Sequence, residues 1–160
     1  MTPASQARGP HVRFPPPLLF IGGLAISWGL ERRLGFAIDG DGAGFAQATI
    51  GIMLISIGLG VATWAIVTFV LARTAVFPNQ PARQLVTDGP YGFTRNPMYT
   101  GLTVAYVGVA VVWNVAWPMV VLPLVLGCLY VFVVRLEERY LRAEFSDAYD
   151  AYRRRVRRWI

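Results

Sequence analysis

The sequence contains no lysine, one histidine and one cysteine, and these shortages remove several kinds of chemistry at once. A lone thiol forms no internal disulfide, and Cys128, set in an apolar run, reads as a packed side chain rather than a nucleophile. His11 stands in a proline-flanked arm without a second ligand near it in sequence, so no metal site is expected. Asp39 and Asp41 open like a calcium loop, but the twelfth position is Ile50, where a bidentate glutamate is needed. Charged residues make up only 15% of the chain and are absent altogether from Tyr99 to Val134.

What is present in excess is apolar surface. With 55% hydrophobic residues and a mean hydropathy of +0.47, the chain must meet lipid or a partner. A helix needs about 20 apolar residues to cross a hydrocarbon core of about 30 Å. Thr49 to Ala72 meets that length. Phe14 to Leu30 is shorter and opens with Pro15, Pro16 and Pro17, which a helix tolerates only in its first turn. It is followed by Glu31, Arg32 and Arg33 rather than a small-x-small cleavage site, so a span is expected there and not a signal peptide. Tyr99 to Val134 is too long for one crossing, and Trp113, Asn114, Trp117 and Pro118 mark a break between two helices. The expected fold is an all-α integral membrane protein with about four transmembrane helices. Gly101, Ala105 and Gly108, and likewise Ser56 and Gly60, recur at helical spacing and read as close-packing positions.

Orientation follows from the arginines. Four spans put Arg8, Arg13, the Arg73 to Met98 segment and the tail on one side, leaving only Arg32 and Arg33 opposite. The positive-inside rule then places both termini in the cytoplasm. Arginine without lysine is also the codon signature of a GC-rich bacterial genome, which suggests a bacterial inner membrane. The tail run Arg153, Arg154, Arg155, Arg157 and Arg158 suits anionic headgroups, and beside a bilayer no nucleic-acid partner is expected.

The stretch Leu85 to Gly101, LVTDGPYGFTRNPMYTG, carries the most information. Asp88, Gly89 and Pro90 form a turn signature, and Pro97 pushes Asn96 out of the helical region, so an ordered loop should end where the third span begins. Arg95 at a membrane boundary can also simply reach for phosphates, with Tyr91 and Tyr99 in an aromatic belt. Glu137 and Glu138 close the last apolar run, where carboxylates are costly unless paired or wet; Glu138 could bond Arg142 one turn on. Beyond them Leu141, Phe145, Tyr149 and Tyr152 share one face of an amphipathic helix that should lie on the cytoplasmic surface.

Together these blocks resemble the isoprenylcysteine carboxyl methyltransferase and phospholipid methyltransferase family. Gly89, Tyr91, Arg95, Pro97, Tyr99 and Gly101 stand in register with its G-x-Y-x-x-x-R-H-P-x-Y-x-G stretch, followed by the paired glutamates and the aromatic, arginine-rich tail ending VRRWI. Asn96 replaces the usual histidine, and Ser146 stands where a glycine commonly follows the phenylalanine. The resemblance covers Arg83 to Ile160 and implies N-terminal spans over 1–82 followed by a catalytic, cofactor-binding region over 83–160. It implies S-adenosyl-L-methionine as cofactor and a lipid or lipid-like acceptor. By position, Arg83, Gln84, Leu85, Val86, Tyr91, Asn96, Pro97, Met98, Tyr99 and Glu137 would bind the cofactor, while Arg135 and Arg158 would orient an anionic substrate group. Asn96 cannot titrate, so a proton-accepting role of that histidine would be lost. Membrane sterol reductases, which bind NADPH, show a similar C-terminal pattern but usually carry more spans, and a non-enzymatic membrane scaffold is the third class. The acceptor itself is not legible.

Overall fold

In a computed structural model of the protein, the described residues are 12, 14–38, 44–74 and 82–159. His11, Arg8, Arg13, Asp39 and Asp41 lie outside them. The described chain is helical: α1 (Pro17–Leu34), α2 (Phe45–Leu71), a 3-10 turn (Gly89–Gly92), α3 (Pro97–Trp113), α4 (Trp117–Leu129), a π-helical segment (Tyr130–Val134) and α5 (Arg135–Arg155). Proline sits in the first turn of α1, α3 and α4, where its missing N–H costs nothing. Asn114 ends α3 in the left-handed region with φ 55°, and α4 starts three residues later, so the break falls among Trp113, Asn114, Trp117 and Pro118.

Among the described residues, two helical stretches are long and apolar enough to cross a membrane: α2, and the continuous run from Trp117 to Arg155, whose apolar part ends at Val134. α3 is equally apolar but has 17 residues, about 25 Å at the helical rise. The outward faces are as apolar as the inward ones. Ile50, Ile52, Met53 and Ile57 of α2 and Val120, Leu124, Val131 and Phe132 of the α4 run are all exposed. An uncovered apolar area of that extent is a lipid-facing surface and not a water-facing one.

The helices associate as two pairs, α2 with α3 and α1 with α4, with weaker contact across the pairs. The α2–α3 pair rests on glycines. A Cβ added at Gly58 would come within 2.5 Å of the Gly101 carbonyl oxygen, and one at Gly51 within 2.9 Å of the Gly108 carbonyl oxygen. Gly101, Ala105 and Gly108 thus face α2 as expected, but their partners are Gly51 and Gly58. Gly60 has open space around its Cβ direction and Ser56 is exposed, because only the seven-residue spacing 51–58 matches 101–108 on antiparallel helices. The other pair meets through Phe20, Val121, Val125 and Leu129, and Tyr106 of α3 packs into the same cluster with its ring 6.1 Å from that of Phe20. Cys128 is a half-buried free thiol of α4.

Candidate active site

Between α2 and α3, the described residues 82–96 turn sharply at Gly89. Gly89 adopts φ 58°, a conformation that favours glycine, and a Cβ there would press on Thr68 at 3.2 Å. Pro90 and Tyr91 are consequently buried, and the Tyr91 ring stacks on Phe69 of α2 with centroids 4.7 Å apart. Asn96, at φ −130° and ψ 52°, precedes the proline that starts α3.

Tyr99, one turn into α3, donates its hydroxyl to Glu137 Oε1 at 2.8 Å. Glu137 is half-buried and has no cationic partner among the described residues. Desolvation pushes its carboxyl up to about 7, against the opposing pull of the Tyr99 hydrogen bond. The Tyr91 hydroxyl is likewise held protonated, chiefly by burial and then by the Glu137 charge.

Glu138 has the opposite surroundings. Arg158 grips it with two bonds of 2.8 Å, from Nε and Nη2, and Arg95 Nη1 approaches the same carboxylate at 3.1 Å. The guanidinium of Arg158 also lies 5.2 Å from the centroid of the Tyr130 ring, and its bond to Glu138 raises its own pKa. The tail backbone closes on the loop: Arg95 N–H donates to the Arg157 carbonyl at 2.9 Å, and Thr94 Oγ1 and Asn96 Nδ2 both donate to the Arg158 carbonyl at 3.0 Å. Tyr152 OH donates to the Tyr91 carbonyl at 2.7 Å. Loop, α5 and tail therefore form one clasp.

α5 reaches this position by bending. Ser146, with φ 42° and ψ −115°, breaks its helical geometry in the left-handed half of the map, where a side chain costs about 1 kcal/mol. Beyond the bend Tyr149 and Tyr152 are buried, whereas Leu141 and Phe145 before it are half-buried. Glu138 does not bond Arg142, because that arginine pairs with Asp150 at 3.2 Å across the bend.

Of the residues singled out in the sequence, Tyr91, Asn96, Pro97 and Tyr99 are buried and Met98 is half-buried; Tyr99 bonds Glu137, whereas Asn96 bonds the Arg158 carbonyl. Leu85 and Val86 are half-buried. Arg83 and Gln84 have exposed side chains at the end of α2, with Arg83 N–H bonded to Thr74 Oγ1 and Gln84 Nε2 to the Ala72 carbonyl. Arg135 is exposed on the first turn of α5, one turn before Glu138, and is not among the arginines that pair with that carboxylate. The role of Arg95 as a buried tie to Glu138, and the seat of Tyr91 on Phe69, are additions of the structure. An arginine in an apolar setting with an acid pair downstream was the available signal.

The phospholipid methyltransferase family model matches residues 46–148, from the start of α2 through both glutamates and past the bend in α5. This chain belongs to that family. It is also similar to the protein-S-isoprenylcysteine O-methyltransferase of Schizosaccharomyces pombe, with 33% identity over 72 residues, 45% of this chain and 30% of that one. The match thus spans less than a third of that relative's length. No solved structure matches. Membership of the phospholipid methyltransferase family favours methyl transfer over the reductase and scaffold readings.

The Glu137 shift has a consequence for this family member that can be measured without substrate. Between pH 4.5, its ordinary value, and about 7, the folded state holds a proton that the unfolded state lacks. Its stabilising contribution is therefore complete below the lower value and lost as pH rises through the upper one. The melting temperature of the unaltered protein should fall over this window relative to Glu137→Gln, which has no proton to lose. Parallel curves would show the carboxyl to be in water.

Proposed function

We propose that the chain transfers a methyl group from S-adenosyl-L-methionine to a membrane-borne amphiphile, at the cytoplasmic side of a bacterial inner membrane crossed four times. The observation that carries this reading is the contrast between the two glutamates. Glu138 is neutralised by two arginines, whereas Glu137 has a tyrosine and no cation among the described residues. A half-buried carboxylate left uncompensated beside two tyrosines is suited to a cationic ligand, and the ammonium of a methionyl group is one. The donor set therefore fits the cofactor: Glu137 for the ammonium, Tyr91 and Tyr99 for the cationic sulfur end, and the loop 83–86 with Asn96, Pro97 and Met98 for the rest. Bound there, S-adenosylmethionine supplies an activated methyl, which leaves sulfur with its bonding electron pair staying behind as the acceptor atom forms the new bond.

The chain's own residues then have to orient and to exclude water rather than to supply a strong base. Tyr99 fixes the Glu137 carboxylate. The clasp of Arg95, Glu138 and Arg158 holds the tail over the loop, and Arg158 and Arg135 offer positive charge to an anionic acceptor. Asn96 in place of the family histidine donates a hydrogen bond and takes no proton. The segment 83–160 forms the catalytic region and 1–82 the supporting spans.

Calorimetry on detergent-solubilised protein tests the reading. S-adenosylmethionine should bind with a Kd in the micromolar range, about 8 kcal/mol. Glu137→Gln should weaken that by about tenfold or more through loss of one charge-assisted contact. A folded Glu137→Gln protein with unchanged affinity would take Glu137 out of the cofactor site, and no binding by the unaltered protein would end the proposal.

A further inference from the structure

Away from Glu137, the first two turns of α5 and the segment beyond its bend enclose a cleft of about 200 Å³. Arg135, Arg139, Arg142 and Arg153 line it together with Tyr130, Glu138 and Tyr149. The charges there do not balance. Glu138 is already shared by Arg95 and Arg158, and Asp150 is shared by Arg142 and Arg153. Arg135 and Arg139 meet no carboxylate among the described residues. The bend at Ser146 is what turns Arg153 back toward the same opening as Arg135 and Arg139.

Four guanidinium groups converging on one small opening, two of them without counter-charge, are a ligand site for an anion with several acceptor oxygens. Guanidinium forks match phosphate oxygens in geometry as well as charge. The cleft straddles the end of the apolar run, from Tyr130 to the first turns of α5, which is the depth of lipid headgroups in a chain that crosses the bilayer there. We propose that this cleft binds a phosphate-bearing anion and that its ordinary occupant is the phosphate of an anionic lipid. It docks α5 against the bilayer while two of its lining residues, Glu138 and Tyr149, are shared with the clasp. The site shares Arg135 with the proposed acceptor contacts and none of the residues proposed to hold the cofactor, and its test needs no methyl transfer.

The test uses the full chain in neutral detergent, titrated with dihexanoyl phosphatidic acid, with inorganic phosphate and with dihexanoyl phosphatidylcholine, followed by calorimetry. The unaltered protein should bind the phosphatidic acid saturably and at least about tenfold more tightly than the zwitterionic lipid. The double variant R139Q/R142Q should lose about tenfold in affinity, whereas R154Q/R155Q, which removes equal charge outside the cleft, should lose less than about twofold. Both substituted pairs are exposed helix positions where glutamine is well tolerated, and Arg139→Gln alone carries the same comparison in a milder form. Inorganic phosphate binding as tightly as the lipid, with the same loss in R139Q/R142Q, would support the site and assign it to free phosphate. Equal losses in the two double variants, or none in R139Q/R142Q, would overturn it.

Discussion

Glu138→Gln is expected to destabilise the protein by about 2–3 kcal/mol, more than any other change in the clasp. The carboxylate carries both guanidinium groups, and the side chain of Arg95 is only 10% exposed, so its charge would stay in a desolvated site without a counter-ion. Removing one member of a fully buried pair costs about 3–5 kcal/mol, and the figure here is reduced because Glu138 and Arg158 retain water contact. Glutamine keeps the shape and one acceptor oxygen, so the loss reports charge rather than packing. Arg158→Gln should cost less, about 1 kcal/mol, since that side chain is 32% exposed and leaves Glu138 still paired with Arg95. Denaturation in mild detergent, compared across the two variants and the unaltered protein, checks the order. Equal stability of all three would mean that the ion pairs add nothing and that the bonds from Arg95 N–H and the Thr94 and Asn96 side chains to the tail carbonyls hold the tail alone.

Gly58→Val should have the larger effect, at about 3 kcal/mol or more, or no folded protein at all. The new Cβ would meet Ala105 N and the Gly101 carbonyl oxygen, each at 2.5 Å, and both are backbone atoms that cannot rotate away. α2 and α3 would have to separate, and the loop that joins them carries Tyr91 and Asn96. Gly60→Ala on the same helix is the control, because its Cβ direction is empty and alanine favours the helix. Its stability should stay within about 0.5 kcal/mol of the unaltered protein. Similar losses at both positions would remove close approach as the explanation.

The helices were legible because prolines, tryptophans and charges punctuate long apolar runs; the starts at Pro17, Pro97 and Trp117 follow from those residues. The glycine partners were half legible. A window of four residues drew attention to Ser56 and Gly60, whereas antiparallel contact over two turns selects a spacing of seven. In the candidate site, the turn at Gly89 and the extended Asn96 follow from local chain chemistry. The choice of Arg158 over Arg142 as the partner of Glu138 could not be read locally, since it depends on the bend at Ser146 bringing the tail back to the loop. Helical periodicity alone would carry α5 straight past that point.

The pairing of the helices gives the Tyr99 to Glu137 bond a mechanical meaning. Tyr99 belongs to α3, tied through glycines to α2, while Glu137 rides on the continuation of α4, which is tied to α1. The bond therefore bridges the seam between the two helix pairs, beside the Phe20–Tyr106 contact and the clasp of loop and tail. A change in bilayer thickness or lateral pressure that tilts one pair against the other would stretch this bridge. The same displacement would move the carboxylate away from the tyrosines around it, so the state of the lipid would be felt at this hydroxyl as well as in the clasp.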